Sequence, residues 1–359
     1  VNYQYTDMKN DGLLPTNGTS NYIFRNILPY GFWRKKLSNY SNFRMFCRVS
    51  TNLPTISQLQ DVVNVSSSTI VNTGNKDLIQ SFNLYTGARF NYTNTKTNRS
   101  FFTGIFYQRS SDFISNATFI AATDSTLGQN LVLRQGTQLI KPVNLDGYRV
   151  VRSYFNYSIP VKKLKTTING NTSFMYNRMP GLINSTATIT NTYLYNVGLA
   201  FVSNLSEYVD YNISYNAGIN KARTISNVTA DNNYVNHSIS VVFNLLSKKG
   251  WFLQNDYSCQ IFRGLSNGFD RTFNLWSASV GKKMFKNNTG ELKVSVFDIL
   301  KQNQSVSRTV SNTYLEDVTS KVLQQYFVLT FSYNLKNFGT PKKTEKAEEF
   351  IPKVGYPYP

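Results

Sequence analysis

The sequence predicts an all-β protein, an antiparallel transmembrane β-barrel, and three observations lead to this prediction. First, apolar and polar residues alternate with period two in segments that recur along all 359 residues. Second, most of these segments exceed the roughly 9–11 residues of a transmembrane strand, whereas ordinary strands average about 5–6. Third, short and long connections alternate. Because successive strand side chains point to opposite faces, each segment would carry one apolar and one polar face.

The composition narrows the class of protein further. The chain is 41% hydrophobic and 14% aromatic but only 16% charged, below the roughly 25% of an ordinary soluble domain. So many aromatic residues argue against disorder, and two cysteines cannot form a disulfide framework. The sequence also contains no apolar run of about 18 residues, so a helical membrane protein is excluded. The remaining class is a membrane protein that crosses the bilayer with β-strands.

About fourteen strands are predicted in this chain, and we leave open whether they form a barrel alone or part of a 22-stranded one. Ser81–Tyr92 and Thr192–Phe201 show the alternation clearly, and Ser238–Leu245 repeats it. The strands are placed near residues 1–6, 22–36, 42–51, 79–93, 99–112, 148–161, 164–177, 191–204, 208–222, 234–247, 250–263, 271–285, 290–303 and 324–338.

Connection lengths indicate the orientation of the barrel. Short connections are predicted near residues 37–41, 94–98, 162–163, 204–207, 247–250 and 286–289. Long ones are predicted near residues 7–21, 52–78, 111–147, 178–190, 222–233, 264–270 and 304–323. In bacterial barrels the short turns face the periplasm and the long loops face outside. Only a closed barrel pairs every backbone group in hydrocarbon, so we expect the apolar face outward and the polar face around a wet lumen.

The formal charge of +19 concentrates at the short-turn ends. We interpret these groups as a basic periplasmic rim, which would be no more than a solvated end in the simplest case: Arg34, Lys35, Lys36, Lys162, Lys163, Lys165, Lys248, Lys249, Lys282, Lys283 and Lys286. They come in clusters around one rim rather than along one groove. We therefore expect no nucleic-acid partner.

Four arginines share the polar parity of their strands and form a candidate lumen wall: Arg44, Arg48, Arg89 and Arg152. Such a wall could attract anions, since charges in a confined lumen steer solutes. It could equally pair with carboxylates of a plug or of neighbouring strands. Aromatic residues near strand ends are candidates for the interface girdle: Trp33, Tyr40, Tyr157, Tyr208, Trp251 and Tyr333.

No enzyme constellation is visible, and we predict neither catalysis nor a cofactor. The only histidine, His237, lacks a Gly-x-Ser-x-Gly partner motif, and we expect it to be a polar residue of the rim or lumen. Zinc-ligand spacings are absent. Cys47 and Cys259 fall on the apolar parity of distant strands, so we expect free thiols that face lipid.

Three segments carry a resemblance to a known family. The first is Gln325–Gly339, which resembles the terminal strand of outer-membrane barrels, where aromatic residues serve as the barrel-assembly signal: Tyr326, Phe327, Phe331, Tyr333 and Phe338. The second is Leu292–Asn303, similar to the penultimate strand of TonB-dependent receptors. The third is Pro54-x-x-x-Gln58-Leu59 followed by Gly74-Asn75-Lys76-Asp77-Leu78. It resembles the Pro-x-x-x-Gln-Leu and Gly-Asn-Pro-x-Leu motifs of SusC-related receptors, with Lys76 in place of proline.

The resemblance implies a TonB-dependent receptor-like barrel for nutrient uptake in the bacterial outer membrane. Ligand binding by extracellular loops and a plug is implied, with energy from TonB reaching the plug. Residues 52–78 and 111–147 would supply ligand-binding loops, unless they are plain surface. The barrel-assembly machinery, lipid and lipopolysaccharide are the implied partners.

The chain also departs from that family. No signal-peptide pattern, plug or TonB-contacting segment is visible, so we expect the C-terminal portion of a receptor or a plugless relative. The predicted organisation is a barrel over residues 1–339 and a flexible periplasmic tail over 340–359. An alternative function is a structural subunit or scaffold of an outer-membrane complex. A soluble carbohydrate-binding sandwich is a third hypothesis, which a need for detergent would exclude.

Overall fold

The alternating segments form strands in the computed structural model. It describes residues 1–12, 18–65, 67, 69–127, 131–206, 208–225, 230–265, 268–285, 288–310 and 315–335. Phe338 and the predicted tail over 340–359 lie outside these residues. Among the described residues, no helix combines the length and hydropathy required to cross a membrane.

The described part of the chain contains 22 strands and one short α-helix. The first eleven strands are β1 (Asn2–Gly12), β2 (Gly18–Leu28), β3 (Tyr30–Lys36), β4 (Ser41–Asn52), β5 (Ile70–Asn72), β6 (Ser81–Asn94), β7 (Arg99–Ser111), β8 (Phe113–Ile120), β9 (Ser125–Leu127), β10 (Leu131–Leu133) and β11 (Gln138–Leu145). The others are β12 (Tyr148–Val161), β13 (Thr166–Ile183), β14 (Thr186–Ser206), β15 (Val209–Ile225), β16 (Ala230–Leu246), β17 (Trp251–Arg263), β18 (Arg271–Met284), β19 (Gly290–Phe297), β20 (Gln304–Val310), β21 (Leu315–Lys321) and β22 (Tyr326–Tyr333). The helix, α1, spans Ile56–Leu59.

Sixteen strands form one sheet. Its main path is an antiparallel meander in the order β3-β4-β6-β7-β12-β13-β14-β15-β16-β17-β18-β19-β22, and β5, β8 and β11 attach beside it. β1 pairs with β2, β9 with β10, and β20 with β21 as separate hairpins. Within the described residues, the end strands β3 and β22 are not paired with each other. An unpaired edge is costly in hydrocarbon, so both ends need a partner strand there.

All fourteen predicted strands occur, but several boundaries differ for physical reasons. The predicted long loop over 178–190 is wrong, because β13 and β14 continue across it to a two-residue turn at Asn184 and Ser185. Both turn residues have positive φ (47° and 63°), as tight hairpin turns of the primed type require. The predicted strand over 22–36 is interrupted at Pro29, which has no N–H to donate. The strand predicted over 290–303 ends at Phe297, before Asp298 with φ of 47°.

The meander has two unlike faces, which the register defines. One face, the outward face, carries exposed apolar side chains, among them Ile105, Phe155, Tyr195, Val197, Ile213 and Leu329. The opposite face, the lumenal face, carries Asn, Ser, Gly and Arg. An apolar band beside a polar interior is the pattern of a transmembrane barrel.

Glycines show which face is concave. A Cβ on Gly198 of the lumenal face would lie 2.0 and 2.5 Å from the side-chain oxygens of Asn171 and Asn216, which flank it on both neighbouring strands. On the outward face, a Cβ on Gly170 would meet nothing within 4 Å. Side chains therefore converge on the lumenal face and diverge on the outward face. The predicted fold class is confirmed: the chain is an antiparallel transmembrane β-barrel.

Candidate functional site

The predicted lumen wall is a set of arginines on neighbouring strands. Arg44 on β4 lies directly opposite Arg89 on β6. Arg48 lies four residues further along β4 on the same face, opposite Tyr85. Arg152 on β12 lies opposite Phe106. All four arginines predicted for the lumen thus share the lumenal face.

Arg34, which the sequence predicted for the periplasmic rim, also belongs to the lumenal face. It lies directly opposite Arg44, so Arg34, Arg44 and Arg89 form a row across three strands. Below this row, Arg34 and Lys36 border a cavity of about 280 Å³ that is also lined by Asn42 and Asn91. The period-two pattern contained this information, because Arg34 and Lys36 have the same parity.

Aromatic rings rather than carboxylates contact these arginines. The guanidinium of Arg89 lies 4.9 Å from the ring centre of Phe106, and that of Arg48 lies 5.2 Å from Tyr85. Arg44 Nε is buried and has no hydrogen-bond partner among the described residues. Like charges directly opposite each other on adjacent strands are destabilising. The row therefore stores electrostatic repulsion that an anion would relieve.

Replacing the central arginine tests whether electrostatic repulsion within the row destabilises the protein. We expect Arg44→Gln to raise the thermal unfolding midpoint in detergent at low salt, by the equivalent of about 0.2–1 kcal/mol. The gain should shrink near 1 M salt, where the Debye length is about 3 Å. Tryptophan fluorescence would report the midpoint. Arg134→Gln, in an exposed loop, is the control and should leave the midpoint unchanged. A salt-independent loss of stability in Arg44→Gln would contradict the repulsion.

The second candidate site is an assembly of the two longest loops on the opposite end of the barrel. β11 pairs in parallel with β5 and antiparallel with β8, and β8 contacts the extension of β13. Val71, Ala121 and Leu133 form a small buried core in this assembly, and Leu139 packs against it. These loops are therefore a folded unit rather than plain surface.

The first half of the quoted motif forms a capped turn of helix. Thr55 caps α1: its hydroxyl accepts from the Gln58 backbone N–H, while the Gln58 side chain accepts from the Thr55 N–H at 2.9 Å. This reciprocal pair is a capping box. Pro54 and Leu59 are buried. The three defined positions of the motif, Pro54, Gln58 and Leu59, thus each have a structural role.

The second half of the motif packs against the first. The Asn75 N–H donates to the Gln58 carbonyl at 2.6 Å, and its side-chain amide donates to the Pro142 carbonyl at 2.9 Å. Leu78 is buried. Gly74 approaches the chain so closely that a Cβ would lie 1.9 Å from the Gln60 carbonyl oxygen. Only glycine fits there, since it has no Cβ.

The first motif half borders a cavity of about 390 Å³, with further lining from β5, β8 and β11. Amide and hydroxyl side chains supply most of its polar groups: Ser57, Gln58, Gln60, Asn64, Asn72, Thr73 and Asn116. Val62, Ile140 and Pro142 complete the wall. A pocket of this size with a few placed polar groups is suited to a small polar ligand.

The predicted girdle residues divide into two groups. Trp33, Tyr157 and Trp251 lie on the outward face towards the short turns, and both tryptophans are exposed. Trp251 also lies 5.1 Å beneath the Lys282 ammonium. Tyr40 and Tyr208 lie within short turns instead.

The predicted assembly strand is β22, the end strand of the meander. Phe327, Phe331 and Tyr333 project from its outward face with exposed fractions of 72%, 59% and 54%. Tyr326 points to the lumenal face and stacks on Phe297, with ring centres 4.7 Å apart. An exposed aromatic row on an unpaired edge is compatible with a recognition signal, which stays a prediction.

His237 corrects another expectation. It lies mid-strand on the outward face, in the parity of Ile239, rather than on the rim or in the lumen. Its ring nitrogen Nδ1 is hydrogen-bonded to the Tyr215 hydroxyl at 2.7 Å. This bond satisfies one polar atom of a histidine that faces the membrane. Cys47 and Cys259 are free thiols on the outward face of non-adjacent strands, as predicted.

A buried ion pair was missed from the sequence. Arg308 on β20 and Asp317 on β21 lie directly opposite and form two hydrogen bonds of 2.6 and 2.5 Å. Their side chains are 3% and 2% exposed. Arg308 also donates to the Gly264 carbonyl at 3.0 Å and covers the Tyr234 ring. The signal for this ion pair in the sequence was the presence of opposite charges nine residues apart.

No family model and no curated protein matches the chain. Among solved structures, the chain is similar to a Pseudomonas aeruginosa FadL homologue. The match covers 92% of this chain and 87% of that one, with 10% identity and a TM-score of 0.37.

Proposed function

We propose that this chain is the barrel of a TonB-dependent receptor-like, SusC-related outer-membrane protein that takes up a nutrient. The observation that carries the proposal is the union of the two motif halves, Pro54–Leu59 and Gly74–Leu78. They meet at the long-loop end through the hydrogen bond from the Asn75 N–H to the Gln58 carbonyl, and the first half borders the cavity of about 390 Å³ with Ser57 and Gln58. Within this proposal the cavity binds the nutrient outside the cell, and the lumen is its route inward.

Binding at the cavity would depend on amide and hydroxyl groups. Gln60, Asn64 and Asn72 line it, and the backbones of Asn64 and Asn72 exchange hydrogen bonds of 2.7 and 3.1 Å that hold these two residues side by side at the cavity. They are the residues we assign to the ligand. Energy from TonB would act through a plug, which belongs to the proposal and not to the described residues.

Growth of the source bacterium tests the proposal. A strain that lacks this protein should fail on one class of carbon, nitrogen or metal source in a defined panel, and a TonB-deficient strain should fail on the same source. The growth yield of the deletion strain complemented with the wild type should be at least tenfold higher than that of the strain complemented with Asn64→Ala/Asn72→Ala. Asn212→Ala, at an exposed position of β15 outside the cavity, is the control and should complement. Normal growth of the deletion strain on every source would overturn the proposal.

A second candidate is a plugless, receptor-derived barrel that serves as a subunit of an outer-membrane complex. The row formed by Arg34, Arg44 and Arg89 favours it, because this row has no acidic partner among the described residues. In that case the chain would co-purify in fixed stoichiometry with an acidic partner. Loss of the protein would then change the composition of the complex and leave growth on single nutrients unchanged.

A further inference from the structure

A second row of arginines lies on the outward face, and no sequence pattern revealed it. Arg109 on β7 is directly opposite Arg149 on β12, and Arg149 is directly opposite Arg178 on β13. Side chains so placed have Cβ atoms about 4.5–5.5 Å apart. Three guanidinium groups therefore share one patch across three strands.

The patch faces away from the lumen. Arg109 shares the parity of Ile105, and Arg149 shares that of Phe155; these apolar residues are 57% and 45% exposed. Arg109 and Arg149 are themselves exposed, and Arg178 is half-buried. The patch also lies at the long-loop end, since β7 and β13 run to Ser111 and Ile183 just beyond it.

A row of tyrosines fixes the level of the patch in the membrane. Tyr107 and Tyr176 both lie opposite Val151, one pleat towards the periplasm from the arginines, and Tyr176 lies opposite Tyr193. Tyrosines on the lipid side of a barrel mark the interface level. One pleat beyond these tyrosines, towards the long-loop end, we place the arginines at the headgroup level of the outer leaflet.

The protein leaves this charge uncompensated. Among the described residues, the side chains of Arg109, Arg149 and Arg178 form no hydrogen bond or ion pair with another group of the chain. Asp112 and Asp146 lie three residues along the chain from Arg109 and Arg149, and the Asp146 carboxylate accepts a hydrogen bond from the Asp112 N–H at 3.1 Å. Like charges directly opposite are destabilising. A ligand with several negative charges at headgroup level would replace the repulsion between the arginines with attraction to the ligand.

We propose that Arg109, Arg149 and Arg178 form a binding site for the phosphate groups of lipopolysaccharide on the outer wall of the barrel. Guanidinium groups bind phosphate oxygens in pairs, with geometry that an ammonium group does not provide. The apolar outward face below the tyrosines accommodates the acyl chains. Lipopolysaccharide combines both chemistries in the outer leaflet. The proposal rests on the barrel and its orientation, not on nutrient uptake, so either can fail without the other.

Titration of the purified full chain in detergent tests the site. The probe is rough lipopolysaccharide, and bound lipid is counted by native mass spectrometry. We expect Arg109→Gln/Arg149→Gln/Arg178→Gln to bind it at least tenfold more weakly than the wild type. Lys162→Gln/Lys163→Gln/Lys165→Gln removes the same charge at the short-turn end and should bind as the wild type does. Equal binding by the first triple variant and the wild type would overturn the proposal.

Two further measurements keep the test decisive if the triple variant does not fold. Wild-type protein should bind enzymatically dephosphorylated lipid A at least tenfold more weakly than intact lipid A. Arg149→Lys, which keeps the charge but loses the paired geometry, should bind with an affinity between those of the wild type and Arg149→Gln. Undiminished binding of dephosphorylated lipid A would overturn the phosphate site. Equal affinity for phosphatidylglycerol would overturn its assignment to lipopolysaccharide.

Discussion

Gly74→Ala is expected to open the loop assembly while the barrel stays intact. A Cβ at this position would lie 1.9 Å from a backbone carbonyl oxygen and 2.9 Å from a second one. Neither can rotate away as a side chain would, so the two motif halves must separate. Overpacking of this kind costs about 1–3 kcal/mol or more. The effect should be local, because barrel strands and loop units open separately.

Trypsin cleavage after Lys76, which is exposed within the motif, measures this opening. Proteolysis of a transiently open segment follows its equilibrium population. If the substitution lowers the free energy of opening by about 3 kcal/mol, the cleavage rate should therefore rise about 100-fold. Gly170→Ala is the matched control, because a Cβ there meets nothing within 4 Å. Heat-modifiable migration on gels would verify the barrel in both variants. Wild-type cleavage of Gly74→Ala would show that the motif halves are not packed as described.

Asp317→Asn is expected to release the β20–β21 hairpin from the barrel. The substitution leaves the Arg308 guanidinium buried without a counter-charge, and breaking a buried pair by removing one partner costs about 3–5 kcal/mol. Hydrogen exchange over residues 304–321 would report the loss. Protection factors should fall by about 10²–10⁴, since each 1.4 kcal/mol is tenfold.

A double variant and a surface pair complete this experiment. Arg308→Met/Asp317→Leu should recover much of the protection, because apolar residues of similar volume often replace a buried pair at little cost. Asp7→Asn removes the partner of Lys9 in an exposed pair 3.8 Å apart and should change nothing measurable. Unchanged exchange in Asp317→Asn would mean that the hairpin is held by other contacts.

The strands and their two faces followed from the sequence alone. Period-two alternation is a local property, and it is strong in long strands because lipid selects for one face and water for the other. The shared face of Arg44, Arg48, Arg89 and Arg152 followed in the same way. The loop motif was also visible, although its meaning came from resemblance. The extension of β13 and β14 up to the turn at residues 184 and 185 was missed, because the Asn and Ser of a tight turn are equally typical of a longer loop.

Clusters that join distant strands were decided only by the tertiary structure. Arg109, Arg149 and Arg178 come together because the register places three strands side by side, and a shift of one residue would send one of them to the lumen. Register depends on packing and turn geometry across the sheet, which no single segment encodes. The contact between Gly74 and Gln60 likewise requires two loop segments to fold onto β11. The sequence determined which faces exist, and the tertiary structure decided which residues meet on them.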